Sequence, residues 1–100
     1  MNKIIISLGG SLICPKEIDI DFIGDFKNLI ESYVINEKIQ FIIVCGGGNL
    51  ARTYQKSANL IFKLDNNSKD LLGIEATRIN ALLILSIFKV VMVLFLLQKS

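Results

Sequence analysis

Ile39-Gln40-Phe41-Ile42-Ile43-Val44-Cys45-Gly46-Gly47-Gly48-Asn49-Leu50-Ala51-Arg52 is the stretch that decides the fold. An apolar, β-branched run stops abruptly at three glycines, and a helical pattern begins at once. Such a run bounded by glycine fits a strand buried on both faces, as in a parallel sheet. Upstream, Lys3 to Leu8 repeats the pattern and stops at Gly9-Gly10-Ser11. Between the two runs, Asp19-Ile20-Asp21 offers an N-cap. Phe22, Ile23, Phe26, Leu29, Ile30 and Tyr33 then recur at helical spacing, with an end near Asn36. Downstream, Asn49 to about Lys63 reads as a second helix with Leu50, Tyr54, Ala58 and Ile61 on one side. Strand, helix, strand, helix with short links means parallel strands and right-handed crossovers, hence an α/β sheet.

Further along, Asn66-Asn67-Ser68 reads as a polar break. Asp70 to about Ile87 is apolar at helical spacing, interrupted by Thr77, Arg78 and Asn80, and Val90 to Leu97 is another unbroken apolar run. From Ala81 to Leu97 only Ser86 and Lys89 are polar, close to the ~20 apolar residues of a membrane span. The alternative is a buried helix ending near Ile87, then a strand rich in Val, Leu and Phe. A lysine at the centre of a span costs about 2.5–3.5 kcal/mol on insertion scales, which favours the second reading.

Composition narrows the function classes. One hundred residues allow a single domain at most. With 52% hydrophobic and 20% charged residues, the chain is no disordered tail. A net charge of +2, without any Lys/Arg run, gives no case for nucleic acid. The absence of histidine removes His-based zinc sites, Ser-His and Cys-His nucleophile pairs, and imidazole bases. Cys14 and Cys45 lack metal-type spacing and read as buried, reduced thiols of a cytoplasmic protein. The apolar run after Lys3 is too short for a signal peptide.

The chemistry lies in the two glycine turns. In an open parallel sheet the carboxyl ends of the strands share one edge, where ligands bind. Glycines there let backbone N–H groups approach phosphate oxygens, and a helix N-terminus adds its orphan donors. Two such turns on one edge suit a polyphosphate, with the Ser11 hydroxyl and the Arg52 guanidinium as further donors. Gly9-Gly10 alone also fits an ordinary strand-ending turn. Neither turn matches the P-loop or dinucleotide fingerprints.

These motifs carry a resemblance. Ile4 to Ser11 resembles the opening of the amino-acid kinase superfamily. Val44 through Arg52 is similar to its archaeal-type uridylate (UMP) kinases, as are Asp19 to Ile23 and Lys69 to Ala81. The resemblance runs from Lys3 to about Ser86. It implies a three-layer α/β sandwich with a mostly parallel central sheet, here incomplete, and Mg²⁺-assisted transfer of the ATP γ-phosphoryl group to UMP, giving UDP in pyrimidine biosynthesis. By motif position it implies ATP contacts at Gly10, Ser11, Gly48 and Arg52, and UMP contacts at Gly47 and Asp70. Arg78 and Asn80 fall in a helix that serves the acceptor site or a subunit contact in the family; a solvated helix face is the other reading of both. It implies a homo-oligomer, a hexamer, and no protein metal ligands. Asp19 and Asp21 read as capping groups. One departure stands out: where many members carry a lysine two residues before G-G-S, this chain has Ser7. Phosphoryl transfer works by positioning and charge neutralisation, so the missing histidine costs nothing.

Residues 1–100 correspond to the N-terminal part of such a domain, with 88–100 as a divergent tail. Half a sheet leaves an uncovered apolar face, so the isolated chain is expected to be poorly soluble and inactive as a UMP kinase. Two alternatives stay open. One keeps the fold and changes the acceptor, as in isopentenyl phosphate or acetylglutamate kinases; the other is a non-catalytic interaction or membrane-associated module.

Overall fold

A computed structural model describes residues 2–37, 39–88 and 92–95. The elements run β1 (Lys3–Leu8), α1 (Gly10–Ile13), α2 (Ile20–Glu37), β2 (Gln40–Cys45), α3 (Gly48–Ile61), α4 (Asn66–Ile87) and β3 (Met92–Phe95). The three strands form one parallel sheet in the order β1-β2-β3. Lys3 pairs with Gln40 and Leu8 with Cys45, which brings both glycine turns to the same end of neighbouring strands.

Because the sheet grows in one direction, crossovers of one hand place their helices on one face. The core shows this. Phe41, Ile43 and Cys45 alternate along β2 and are buried, packing with Ile23 and Ile30 of α2 and Ala81 and Ile84 of α4. Phe26 meets Phe88 edge-on at 6.0 Å between ring centroids, joining α2 to the end of α4. Two layers of the expected three-layer sandwich are thus present among the described residues.

β1 departs from the expectation of a strand buried on both faces. Ile5 is 69% exposed and Ile4 41%, whereas Leu8 is buried. Burial depends on neighbours as well as on composition: β1 is an edge strand here, and the face carrying Ile5 has no helix over it. Ile42 and Val44, in register with Ile5 and Ser7, share that face and are only half-buried. α3 departs in a similar way. Its helical spacing is as expected, yet Tyr54 and Ile61 are exposed, and only Ala51 is buried. Leu50 and Tyr54 instead line an open apolar groove of about 490 Å³ with Ile18, Leu72, Ala76 and Ile79.

Side-chain caps set the starts of α2 and α4. Asp19 caps α2, its Oδ1 accepting from the Phe22 N–H at 3.0 Å. The expected break at Asn66-Asn67-Ser68 is instead the first turn of α4. Asp65 caps that turn by accepting from the Ser68 N–H at 2.8 Å, and its hydrogen bonds with Ser68 hold the carboxyl below its usual range. α4 ends at Ile87 with Phe88 as its C-cap, and a strand comes next at Met92–Phe95. This is the helix-then-strand alternative for the apolar stretch, and among the described residues no helix is long and apolar enough to cross a membrane. The rest of the divergent tail, 89–91 and 96–100, lies outside the described residues.

Candidate phosphate-binding site

β1 and β2 deliver their glycine turns side by side, and the two backbones touch. A Cβ on Gly10 would stand 2.4 Å from the Gly46 carbonyl oxygen and 2.5 Å from the Gly47 carbonyl carbon. A Cβ on Gly48 would stand 2.3 Å from the Ser11 nitrogen, and Gly48 also has φ +51°, in the left-handed region. Glycine at these two positions is therefore required for one turn to lie against the other, before any ligand is considered.

The turns lead into different structures. The second opens directly into α3, so its N–H groups belong to a long helix N-terminus. The first opens into a single helical turn, α1, and the chain reaches Ile20 before α2 begins.

Side chains tie the turns together. Ser11 Oγ accepts from the Asn49 N–H at 3.1 Å and from Arg52 Nη2 at 3.0 Å. Arg52 Nη2 also donates to Asn49 Oδ1, and Asn49 Nδ2 donates to the Pro15 carbonyl at 3.0 Å. With its oxygen accepting twice, the Ser11 hydroxyl keeps its own proton to donate to a ligand. Asn49 is the member of this network that residue typing alone did not single out. Its place at the start of a helix, beside a glycine turn, was the available signal.

Gly9, Gly10, Ser11, Gly48 and Arg52 line one cleft of about 240 Å³, together with Ser7, Leu8, Leu12, Val44, Cys45 and Gly46. Arg52 is the only charged side chain in that lining. Ser7 is an exposed member of the same lining. Burial pushes the Cys45 thiol up to about 11, so it stays protonated at neutral pH. Both cysteines are buried and free, as expected.

The structure brings together the four residues expected to touch ATP and leaves the others apart. Gly47 is buried against α4: a Cβ there would meet Thr77 Oγ1 at 3.0 Å and the Gly73 carbonyl at 3.3 Å. Asp70 lies one turn before Gly73 on the same face of α4, outside the cleft lining. Arg78 and Asn80, grouped together in the sequence, diverge. Arg78 is exposed and within 3.9 Å of Glu75, which agrees with a solvated helix face. Asn80 is 1% exposed and points inward to the triglycine turn, so neither a solvated face nor an accessible subunit contact describes it.

The adjacent ends of a parallel sheet thus carry two stacked glycine turns, a serine and an arginine on one cleft of an α/β protein. Residues 2–93 match the amino acid kinase family, and the chain belongs to that family. A uridylate kinase of Thermococcus kodakarensis is 38% identical over 84 residues, covering 84% of this chain and 36% of its own length. One from Thermoplasma volcanium is 41% identical over 91 residues, with 89% and 38% covered. The crystal structure of uridylate kinase from Archaeoglobus fulgidus superposes with a TM-score of 0.77 at 29% identity, covering 100% of this chain and 52% of that one. The chain therefore spans little more than a third of the length of these curated relatives.

Proposed function

We propose that the chain is the donor-phosphate half of a cytoplasmic uridylate kinase site, working in transfer of the ATP γ-phosphoryl group to UMP. The observation that carries this is the contact between the two glycine turns, which places Gly10, Ser11, Gly48 and Arg52 on one cleft. Similarity to proteins named uridylate kinase supports the choice of nucleotides.

In this reading backbone N–H groups and the Ser11 hydroxyl hold phosphate oxygens, and the Arg52 guanidinium offsets their charge. Ser11 and Asn49 keep that guanidinium over the cleft, so little reorganisation is needed when charge shifts during transfer. Gly47, through its backbone, and Asp70 on α4 belong to the acceptor; a carboxylate suits ribose hydroxyls. No side chain of this chain is assigned as nucleophile or base. The acceptor is itself a phosphate anion, so positioning and electrostatics suffice. Mg²⁺ would supply charge neutralisation between the phosphates. The cleft lining holds no carboxylate, and among the described residues no cluster of three acidic, Cys or His groups exists. The donor set therefore fits an ion carried in on the nucleotide, which is the usual habit of Mg²⁺. A homo-oligomeric assembly of the complete protein is part of the same proposal.

Isothermal titration tests the acceptor. UMP is expected to give a saturable heat in the presence of ATP, with isopentenyl phosphate and N-acetylglutamate giving none. Heat from one of those and none from UMP would move the chain to a sister family. No heat from any nucleotide would favour a non-catalytic module.

A further inference from the structure

Asn80 is a buried polar side chain of α4, 1% exposed, where the other buried residues, Thr77 apart, are Gly73, Ala76, Ala81 and Ile84. An apolar side chain here would be buried without desolvating an amide. What the amide does is visible in its bonds. Asn80 Nδ2 donates to the Gly46 carbonyl at 3.0 Å and reaches the Gly47 carbonyl at 3.5 Å.

In a trans peptide, a carbonyl and the next N–H along the chain point in opposite directions. Drawing the Gly46 carbonyl toward α4 therefore turns the Gly47 N–H away from α4. The Gly47 carbonyl is held by the Ala51 N–H at 3.2 Å as well as by the longer Asn80 contact, which turns the Gly48 N–H away likewise. As N-cap and first residue of α3, both N–H groups have no intrahelical partner. Thr77 closes the α4 side: fully buried, it donates to the Gly73 carbonyl at 2.9 Å, and its Oγ1 would stand only 3.0 Å from a Cβ on Gly47. The turn is pinned from below and its donors face the other way.

We propose that Asn80 is a positioning residue for phosphate: its side-chain amide holds the triglycine carbonyls so that the Gly47 and Gly48 N–H groups are aimed at phosphate oxygens. The ligand class rests on the kinase reading above, whereas the hold on the turn stands on geometry alone.

The test uses the ¹⁵N-labelled 100-residue chain, with inorganic pyrophosphate as probe. Asn80→Leu keeps the branching at Cγ and removes the donor; Asn80→Asp keeps the shape and replaces the donor with an acceptor. Both are expected to weaken pyrophosphate binding about tenfold, the size of one lost hydrogen bond. They should also lower the ¹⁵N order parameters at Gly47 and Gly48 while Ile43 and Ile84 keep wild-type values. A fall at all four together would mean that Asn80 is only structural, and unchanged affinity would also overturn the proposal. A wild type that ignores pyrophosphate would remove the phosphate reading itself, and the positioning role with it. Should neither variant fold, the wild type decides: the Asn80 side-chain protons must exchange slowly and show coupling through the hydrogen bond to the Gly46 carbonyl. Fast exchange without coupling contradicts the proposal.

Discussion

Replacing Gly48 with alanine is expected to abolish ATP binding and to lower the melting temperature, while Gly9→Ala leaves the melting temperature near wild type. The two glycines sit in similar sequence settings, and only the geometry separates them. Gly9 has nothing within 4 Å of an added Cβ. At Gly48 the same atom would lie 2.3 Å from the Ser11 nitrogen and 2.6 Å from the Gly10 carbonyl carbon. These are backbone atoms, so no rotamer change relieves the clash, and the turns must separate. The left-handed backbone at φ +51° adds about 1–2 kcal/mol for a residue with a Cβ. Gly10→Ala attacks the contact from the other side and should behave like Gly48→Ala. Titration calorimetry and thermal melts check the set. Equal behaviour of Gly9→Ala and Gly48→Ala would mean that the turns do not stack.

Arg52→Ala is expected to weaken ATP binding by roughly one to two orders of magnitude, the range for hydrogen bonds to a charged partner. Arg52 carries the only charge in the cleft lining, so no second cation there can compensate. Arg52→Lys should recover only part of the loss. A lysine restores the charge but presents a single ammonium, whereas the guanidinium bonds Ser11 and Asn49 through Nη2 and still has its other nitrogens to offer a phosphate. Melting temperature should barely move in either variant, because Arg52 is exposed. Wild-type affinity in Arg52→Ala would take the residue out of the site.

The strands, crossovers and turns were legible because β-branched runs ending in glycine admit few other readings, and Asp19 announced its helix as a cap should. What stayed hidden depended on neighbours. The run from Ile4 to Ile6 reads as buried from composition, but this chain covers only one side of it. Asn66-Asn67-Ser68 misled because Asn, Asp and Ser serve turns and helix starts alike; Asp65, one residue earlier, was the cap. In the site, typing pointed to the two glycine turns, Ser11 and Arg52, since glycine, hydroxyl and guanidinium are the groups a phosphate needs, and the family resemblance singled out Gly10 and Gly48 within the turns. It could not separate Arg78 from Asn80. Two residues apart on a helix are about 200° apart in direction, and one faces solvent while the other grips the turn. Thr77 and Asn80, read as interruptions, recur with Gly73 on one helix face. A polar pair on an otherwise apolar face was the available sign of a buried partner.

The stacked turns are the central claim, and an amide chemical-shift map of the ¹⁵N-labelled chain titrated with ATP tests it most directly. One site built from two turns predicts that Gly10, Ser11, Gly48 and Arg52 respond together along a single binding curve. Responses confined to one turn, or two curves of different affinity, would contradict it.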